Sequence, residues 1–256
     1  MLHSLKTSYW PELDRGQREH LLRRPALDQP GIGDAVAAII QRVRRDGDTA
    51  LEALTQELDG CRPSSLEVPA AEIAAAEQRI GDDVRRAIED AAERIRSFHG
   101  ADRPRDGRLE TAPGLVCEVR YQPLSPVGLY IPGGSAPLLS TVMMLARPAR
   151  LAGCEQVIMC SPPAADGRIA DEVLAAASLC GVDRVFCVGG AQAIAAMAYG
   201  TDSLPRCAKI FGPGNAWVTE AKQQDSQDPQ GAAVDMPAGP SEVLVIADGA
   251  ADPVAV

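Results

Sequence analysis

Histidine is scarce in this chain: three occur among its 256 residues, at positions 3, 20 and 99. They lie far apart, no two form an H-x-x-H pair, and none has a cysteine beside it. A zinc ion in a protein is usually held by several such ligands, some of them at short spacings. The sequence therefore predicts no metal site within these 256 residues.

Long apolar runs and basic runs are also missing. No stretch approaches the ~20 apolar residues that span a bilayer, and the N-terminus, "MLHSLKTSYWPELDRG", has no apolar signal-peptide core. The formal net charge is −10 without any Lys/Arg-rich run, which argues against a nucleic-acid partner. The seven cysteines are an odd number and lack a C-x-x-C pair, which is typical of reduced thiols. We expect a soluble cytoplasmic protein that binds neither membrane nor nucleic acid.

The first 100 residues are predicted to be largely helical. Residues 1–30 are polar and rich in helix breakers near their end, which favours an arm or a short helix. From Ile32 to Gly100 the apolar residues recur with helical spacing. Two apolar faces follow: Ile32, Val36, Ile39, Ile40 and Val43 on the first, and Val84, Ala87, Ile88, Ala91, Ile95 and Phe98 on the second.

Beyond residue 100, short apolar runs predict strands that alternate with helices. The first two predicted strands are "LVCEVRYQPL" (115–124) and "VGLYI" (127–131). The later predicted strands are Val157–Cys160, Arg184–Val188, Lys209–Phe211, Ala232–Val234 and Glu242–Ala247. The predicted helices are Ala136–Leu151, Ala170–Cys180, Gly190–Tyr199 and Asn215–Gln227. This alternation predicts an α/β fold, a parallel sheet with helices on both faces, preceded by a helical N-terminal segment.

Three glycine-containing turns, each between a predicted strand and a predicted helix, are expected on one edge of that sheet. The polar residues Ser135, Gln192 and Asn215 follow their glycines. A single turn of this kind most often only permits a tight bend. Three of them favour a ligand site, because ligands of parallel sheets bind at the carboxyl ends of the strands. The last turn does not match G-x-G-x-x-G, since Trp217 occupies the third glycine position.

Three long blocks of sequence lie in the part of the chain that contains the glycine turns: "VGLYIPGGSAPLLSTVMMLARPARLAGC", "VGGAQAIAAMAYGTDSLPRCAKIFGPGNAWVTEAKQQ" and "AAVDMPAGPSEVLVIAD". In their residues, order and spacing they closely resemble the histidinol dehydrogenase family, and the resemblance extends from about Ile32 to Val256. It implies a pair of incomplete Rossmann-like domains in an intertwined homodimer. It also implies NAD-dependent oxidation of L-histidinol to L-histidine through an aldehyde, at the end of histidine biosynthesis, with zinc (Zn2+) in each active site.

The resemblance further implies roles for individual residues. The family's NAD contacts fall on Tyr130, Gln192 and Asn215, and its substrate-contacting serine falls on Ser241. Carboxamides both donate and accept, and Tyr130 offers a ring face and a hydroxyl, so these side chains suit ribose hydroxyls and phosphate oxygens. The implied domains are an arm (1–30), a first Rossmann-like domain that is incomplete here (31–129 and 243–256), and a second Rossmann-like domain (130–242).

No catalytic or metal-binding residue is assigned within this chain. In the family, the zinc ligands and the Glu-His pair that moves protons lie further along than Val256. The last residues also suggest an interrupted helix, with Asp252 as its N-cap and Pro253 as its first residue. We therefore expect an N-terminal portion of the enzyme that is not active alone.

Three other interpretations remain open from the residues. Aldehyde oxidation through a thiohemiacetal needs a reactive thiol, but neither Cys117 nor Cys154 has a cationic neighbour or a helix N-terminus evident in the sequence, which favours packing roles. A non-catalytic NAD-binding module would keep the glycine turns and lack acid–base groups. A flavodoxin-like regulatory domain would bind flavin and be coloured.

Overall fold

The structure, a computed structural model, describes residues 7–23, 31–133, 137–236 and 245–252. Residues Pro30–Ala238 form one compact unit, and Met1–Gln29 with Gly239–Val256 form another. The predicted domain boundary at residue 130 falls inside the first unit and stays a prediction.

In the smaller unit, a 3-10 turn (Trp10–Glu12) precedes helix α1 (Arg15–Leu22). Asp14 caps α1 in a reciprocal capping box with Gln17, which confirms a short N-terminal helix. The strand predicted at Glu242–Ala247 is wrong over its described part. Val245 and Ile246 are exposed, and residues 245–248 pair with no strand that the structure describes. Their apolar pattern favours a strand, but a strand forms only where a neighbour accepts its backbone hydrogen bonds.

Three helices follow in the larger unit: α2 (Ile32–Leu58), α3 (Ala70–Arg79) and α4 (Asp82–Ala101). Helix α2 is interrupted at Gly47, whose φ of 54° is not helical. The first predicted apolar face is confirmed, because all five of its residues are buried or packed against the core. The second is confirmed except at Ala87 and Phe98, which are exposed. Among the described residues, no helix combines the length and apolarity needed to cross a bilayer.

A two-stranded antiparallel hairpin separates these helices from the main sheet. It consists of β1 (Gly107–Ala112) and β2 (Leu115–Val119), and every residue of both strands is exposed. The prediction placed a longer strand over 115–124 and no strand at β1. The polar composition of β1 gave no strand signal, because a hairpin that is exposed on both faces needs no alternation of apolar and polar residues.

Five parallel strands form the main sheet in the order β5-β4-β3-β6-β7. They are β3 (Val127–Tyr130), β4 (Val157–Ser161), β5 (Arg184–Cys187), β6 (Lys209–Phe211) and β7 (Ala233–Val234). The connecting helices are α5 (Leu139–Ala152), α6 (Asp171–Cys180), α7 (Gly190–Tyr199) and α8 (Ala216–Gln227). Counted from β3, this is the 3-2-1-4-5 order of the Rossmann fold, and it confirms the α/β prediction.

The sheet lies between two helical layers, each with its own core. Helices α3, α4, α5 and α6 cover one face, and α2, α7 and α8 cover the other. The strands carry almost continuous apolar runs because both of their faces are buried. The chain changes face between β5 and β6, which makes the junction of β3 and β6 the topological switch point.

Candidate functional site

The candidate site is a cavity at the carboxyl ends of the strands beside the switch point. Helix α5 leaves β3 toward one face and α8 leaves β6 toward the other, so a crevice opens between them. The switch-point cavity has a volume of about 710 Å³. Its lining residues are Ile39, Leu58, Asp59, Tyr130, Pro132, Gly133, Pro162, Pro163, Gly190, Ala191, Gln192, Asn215 and Trp217. The structure thus brings together the three residues that the resemblance assigns to NAD.

Tyr130 ends β3 and lies almost wholly buried at the base of the cavity. Its hydroxyl oxygen accepts a hydrogen bond from the backbone N–H of Gly190 at 3.0 Å. Burial raises the pKa of the phenol to about 12, with a smaller contribution from the charge of Asp59. The hydroxyl therefore stays protonated at neutral pH, and its proton is available for donation to a bound molecule.

Gln192 lies in the first turn of α7 with 1 % of its surface exposed. Its Nε2 lies 3.5 Å from Oδ2 of Asp59, and its Oε1 has no hydrogen-bond partner among the described residues. An unpaired buried carbonyl costs about 1–3 kcal/mol, so this oxygen is a strong candidate to accept from a ligand. The backbone before it needs glycine: Gly190 has a φ of +64°, and a Cβ there would lie 2.6 Å from Oε1.

Asn215 is the N-cap of α8, where its Oδ1 accepts from the N–H of Val218 at 3.1 Å. The cap uses the carbonyl end of the side chain and leaves the amide nitrogen as the group that can donate to a ligand. Trp217, the second residue of α8, lines the same cavity with 38 % of its surface exposed. The residue that breaks the glycine fingerprint therefore forms a wall of the cavity, which the sequence did not reveal.

The turn before Asn215 is held by a buried ion pair. Lys222 Nζ donates to the carbonyl oxygen of Gly212 at 2.7 Å and is paired with the carboxylate of Asp235. That carboxylate accepts the N–H of Gly212, also at 2.7 Å. A Cβ on Gly212, whose φ is +128°, would lie 2.1 Å from the carbonyl oxygen of Tyr130. We call Gly212, Lys222 and Asp235 the turn clamp, which ties the end of β7 to the turn after β6.

Asp59 is the second lining residue that sequence reasoning missed. It caps the C-terminus of α2, donating its backbone N–H to Thr55. Asp59 is an exposed residue at the mouth of the cavity, yet its carboxyl is removed from water enough to raise its pKa. No motif marks it, because it reaches the cavity from a helix distant in sequence from the glycine turns.

Two of the predicted positions cannot be placed in the cavity. Ser135 and Ser241 lie outside the described residues. The cysteines of the alternative mechanism do not line the cavity: Cys117 is exposed on β2, and Cys154 is buried after α5. Burial raises the pKa of the Cys154 thiol, although the charge of Arg150 opposes it, and this favours a packing role.

The described residues do not fit a zinc ion. Within the described ranges, no group of three His, Cys, Asp or Glu side chains is placed to hold a metal. Three protein ligands are the usual minimum for zinc in an enzyme. The zinc expected from the resemblance has no place among these residues, and no chemical step is assigned to it here.

Another cavity, of about 430 Å³, lies between α3 and the segment before α6. We call it the arginine cavity, because Arg79 and Arg168 line it. Both guanidinium groups are paired with Glu72, and Arg79 also forms two hydrogen bonds of 2.7 Å to Asp171. Its cations are neutralised by neighbouring carboxylates, so it offers no free charge to an anion.

Comparison with known proteins supports this reading of the fold. The histidinol dehydrogenase family profile matches residues 22–256. The chain is 53 % identical over 250 residues to histidinol dehydrogenase of Vibrio parahaemolyticus, covering 97 % of this chain and 57 % of that protein. It is 55 % identical to the Xylella fastidiosa protein of the same name, covering 97 % and 58 %. The crystal structure of histidinol dehydrogenase from Elizabethkingia anophelis superimposes with a TM-score of 0.86 at 40 % identity, covering 94 % of this chain and 55 % of that one. The chain thus spans little more than half the length of these relatives.

Proposed function

Because the chain belongs to the histidinol dehydrogenase family, we propose that it forms the NAD-binding portion of an enzyme that oxidises L-histidinol to L-histidine through the aldehyde. The observation that carries the proposal is the convergence of Tyr130, Gln192 and Asn215 on one cavity at the switch point. In open α/β folds this crevice is where dinucleotides bind.

The residues of the cavity fit a dinucleotide without the standard fingerprint. Helices α7 and α8 both begin at the cavity, and their free N–H groups suit a pyrophosphate. Gln192 Oε1 supplies an acceptor, and the amide nitrogen of Asn215 with the Tyr130 hydroxyl supplies donors. When bound, NAD would accept a hydride from the substrate, and the chain's own residues would bind and orient it.

Close backbone approach also supports the proposal. A Cβ on Gly133 would lie 2.7 Å from Pro162, and one on Gly189 would lie 2.4 Å from the same ring. The ring of Pro162, after β4, therefore packs directly against the backbone of Gly133, after β3, and of Gly189, after β5. A side chain at either glycine would clash with this ring, so these two positions next to the cavity need glycine.

The remaining parts of the activity are proposed for the full-length enzyme. We infer that Ser241 contacts histidinol, that zinc and the proton-moving pair are supplied by residues beyond Val256, and that the enzyme is a cytoplasmic homodimer. These inferences rest on the resemblance and on the coverage of the relatives, 57 % in the Vibrio case. For the chain by itself, a non-catalytic NAD-binding module is the second candidate, because the switch-point cavity is lined entirely by described residues, and these include no metal-binding cluster.

The test separates binding from turnover. Calorimetric titration of the 256-residue chain with NAD should show binding, and the purified protein should be colourless, which would count against a flavin-binding function. With histidinol, NAD and zinc present, the chain should form no NADH, since a missing acid–base group alone costs about 10²–10⁴-fold in rate. Adding the C-terminal portion of a relative should restore zinc-dependent NADH formation. Turnover by the chain alone would refute the assignment of catalytic groups beyond Val256, and absence of NAD binding would refute the cavity as the cofactor site.

A further inference from the structure

The switch-point cavity carries a charge of one sign. Among its described lining residues, Asp59 carries the only carboxyl group, and no Lys, Arg or His is present. A site for a ligand with an extra phosphate normally places a cation beside that phosphate. In this cavity the charged lining residue is instead a carboxylate, that of Asp59.

The unused hydrogen-bonding groups at Asp59 and Gln192 are all acceptors. Gln192 directs its Nε2 toward the carboxylate at 3.5 Å, the orientation that avoids opposing two oxygens. Its Oε1 is then left unpartnered, on a side chain that is 99 % buried. Asp59 and Gln192 therefore present acceptors, which a ligand can satisfy with hydroxyl groups and which a phosphate, having only acceptors, cannot satisfy.

The position of this pair corresponds to the ribose side of a Rossmann crevice. In that fold an acidic residue near the end of the second strand binds the 2′-hydroxyl of the adenosine ribose. Here the second strand is β4, which ends in Ser161-Pro162-Pro163 without an acid. Gln192 follows β5, the strand beside β4, so the Asp59–Gln192 pair lies on the same side of the switch point.

We propose that Asp59, delivered from the end of α2, binds the adenosine ribose hydroxyls together with Gln192 and selects NAD over NADP. The inference rests on the proposed function, because it assumes that the cavity holds the dinucleotide. The residue that determines the specificity then comes from the end of α2, far in sequence from the glycine turns. A 2′-phosphate at this position would face a carboxylate and an unpaired carbonyl oxygen, with no cation among the described lining residues to offset them.

The test is calorimetric titration of the full chain with NAD and with NADP, on the natural protein and on Asp59→Asn. The natural protein should bind NAD at least about tenfold more tightly than NADP, since the 2′-phosphate would face a carboxylate and an unpaired carbonyl oxygen. Asp59→Asn should weaken NAD about tenfold, leave NADP unchanged or tighter, and reduce the preference below about threefold. Asp34→Asn is the matched control: it removes the same charge from an exposed position of α2 that does not line the cavity.

The outcomes distinguish the role of Asp59 from the existence of the NAD site. If the natural protein binds NAD and Asp59→Asn keeps the preference, the role of Asp59 is refuted and the NAD site stands. If the natural protein binds neither dinucleotide, both inferences are refuted. Asp59→Ser provides a second variant with the same expected loss of preference, and thermal unfolding of both variants should match the natural protein because Asp59 is exposed.

Discussion

The arginine cavity and the switch-point cavity differ in whether their polar groups already have partners within the protein. In the arginine cavity, Arg79 and Arg168 are already paired with Glu72 and Asp171. In the switch-point cavity, the buried Oε1 of Gln192 has no partner among the described residues, although the cavity carries fewer charges. Unmet hydrogen bonding, rather than the number of charged side chains, therefore distinguishes the cavity that we propose as the ligand site.

Of the substitutions that test this comparison, Lys222→Met in the turn clamp is expected to have the largest effect. Lys222→Met should lower the free energy of unfolding by about 3–5 kcal/mol, because it leaves the Asp235 carboxylate without its buried cation. NAD binding should weaken as well, since the clamp holds the turn that carries Asn215. Urea unfolding and NAD titration measure the two effects.

Arg184→Met is a matched control for the clamp. Arg184 lies on β5, and its guanidinium pairs bidentately with Glu67, at 2.7 Å for both bonds, away from the switch-point cavity. This pair is more exposed, so its loss should cost less stability and leave NAD affinity unchanged. Equal effects of the two substitutions on NAD affinity would show that the clamp has no special role at the site.

Asp225 challenges the rule that unmet hydrogen bonding marks a site. It is fully buried on α8, and neither carboxyl oxygen forms a well-aligned hydrogen bond among the described residues, yet it lines neither the switch-point cavity nor the arginine cavity. Burial, reinforced by the charge of Asp228, raises its pKa to about 7, while Tyr199 and Arg44 act in the opposite direction. A protonated carboxyl is neutral, which reduces the cost of burying it.

This carboxyl predicts a pH-dependent stability. Its pKa is near 3.8 in the unfolded chain and about 7 in the folded one, so its contribution is complete below about pH 4 and is lost as the pH rises through 7. Asp225→Asn should remove that loss and stabilise the protein by up to about 4 kcal/mol above pH 8, at about 1.4 kcal/mol for each pKa unit. Urea unfolding from pH 5 to 9 measures it, and Asp90→Asn, at an exposed position of α4, should leave the profile unchanged.

Asn215→Ala tests the switch-point cavity with a smaller expected effect. Removing the amide nitrogen that we propose donates to NAD should weaken NAD binding by about 1–3 kcal/mol. Loss of the N-cap of α8 should also lower the free energy of unfolding by about 1 kcal/mol. Ser226→Ala, at the other end of α8, is the control that should leave NAD affinity unchanged. In the full-length enzyme the KM for histidinol should change little, and an unchanged NAD titration would remove Asn215 from the site.

The arginine cavity gives the smallest expected effect. Arg168→Gln should change the free energy of unfolding by less than about 1 kcal/mol, because Arg168 is largely exposed and Arg79 still pairs with both carboxylates. NAD affinity should be unchanged. A loss of NAD binding in Arg168→Gln would contradict the assignment of the cofactor to the switch-point cavity.

Sequence patterns were sufficient for the parallel sheet and not for the groups that support the site. The strand at Lys209–Phe211 and the helix at Gly190–Tyr199 have the predicted bounds, because buried strands and helices differ in period and length. The strand Gly107–Ala112 was missed, since its polar residues face solvent on both sides.

The supporting groups depend on contacts between distant parts of the chain. Lys222 and Asp235 are polar residues whose spacing matches no motif, and only the packing of α8 against the end of β7 makes them partners. Asp59 is separated from Gln192 by 133 positions, so no local pattern joins them. The glycine turns could be found because a tight turn needs particular residues in a row.

The position of β3 between β4 and β6 also determines when the site can exist during synthesis. Tyr130 leaves the ribosome early, but its cavity neighbour Asn215 follows only after on the order of 100 residues, and Asp235 later still. At the usual rates of about 5–20 residues per second, this delay is roughly 5–20 s. For that interval β3 can pair with β4 while its other edge stays open, so the nascent protein exposes an apolar strand edge that β6 covers in the finished protein.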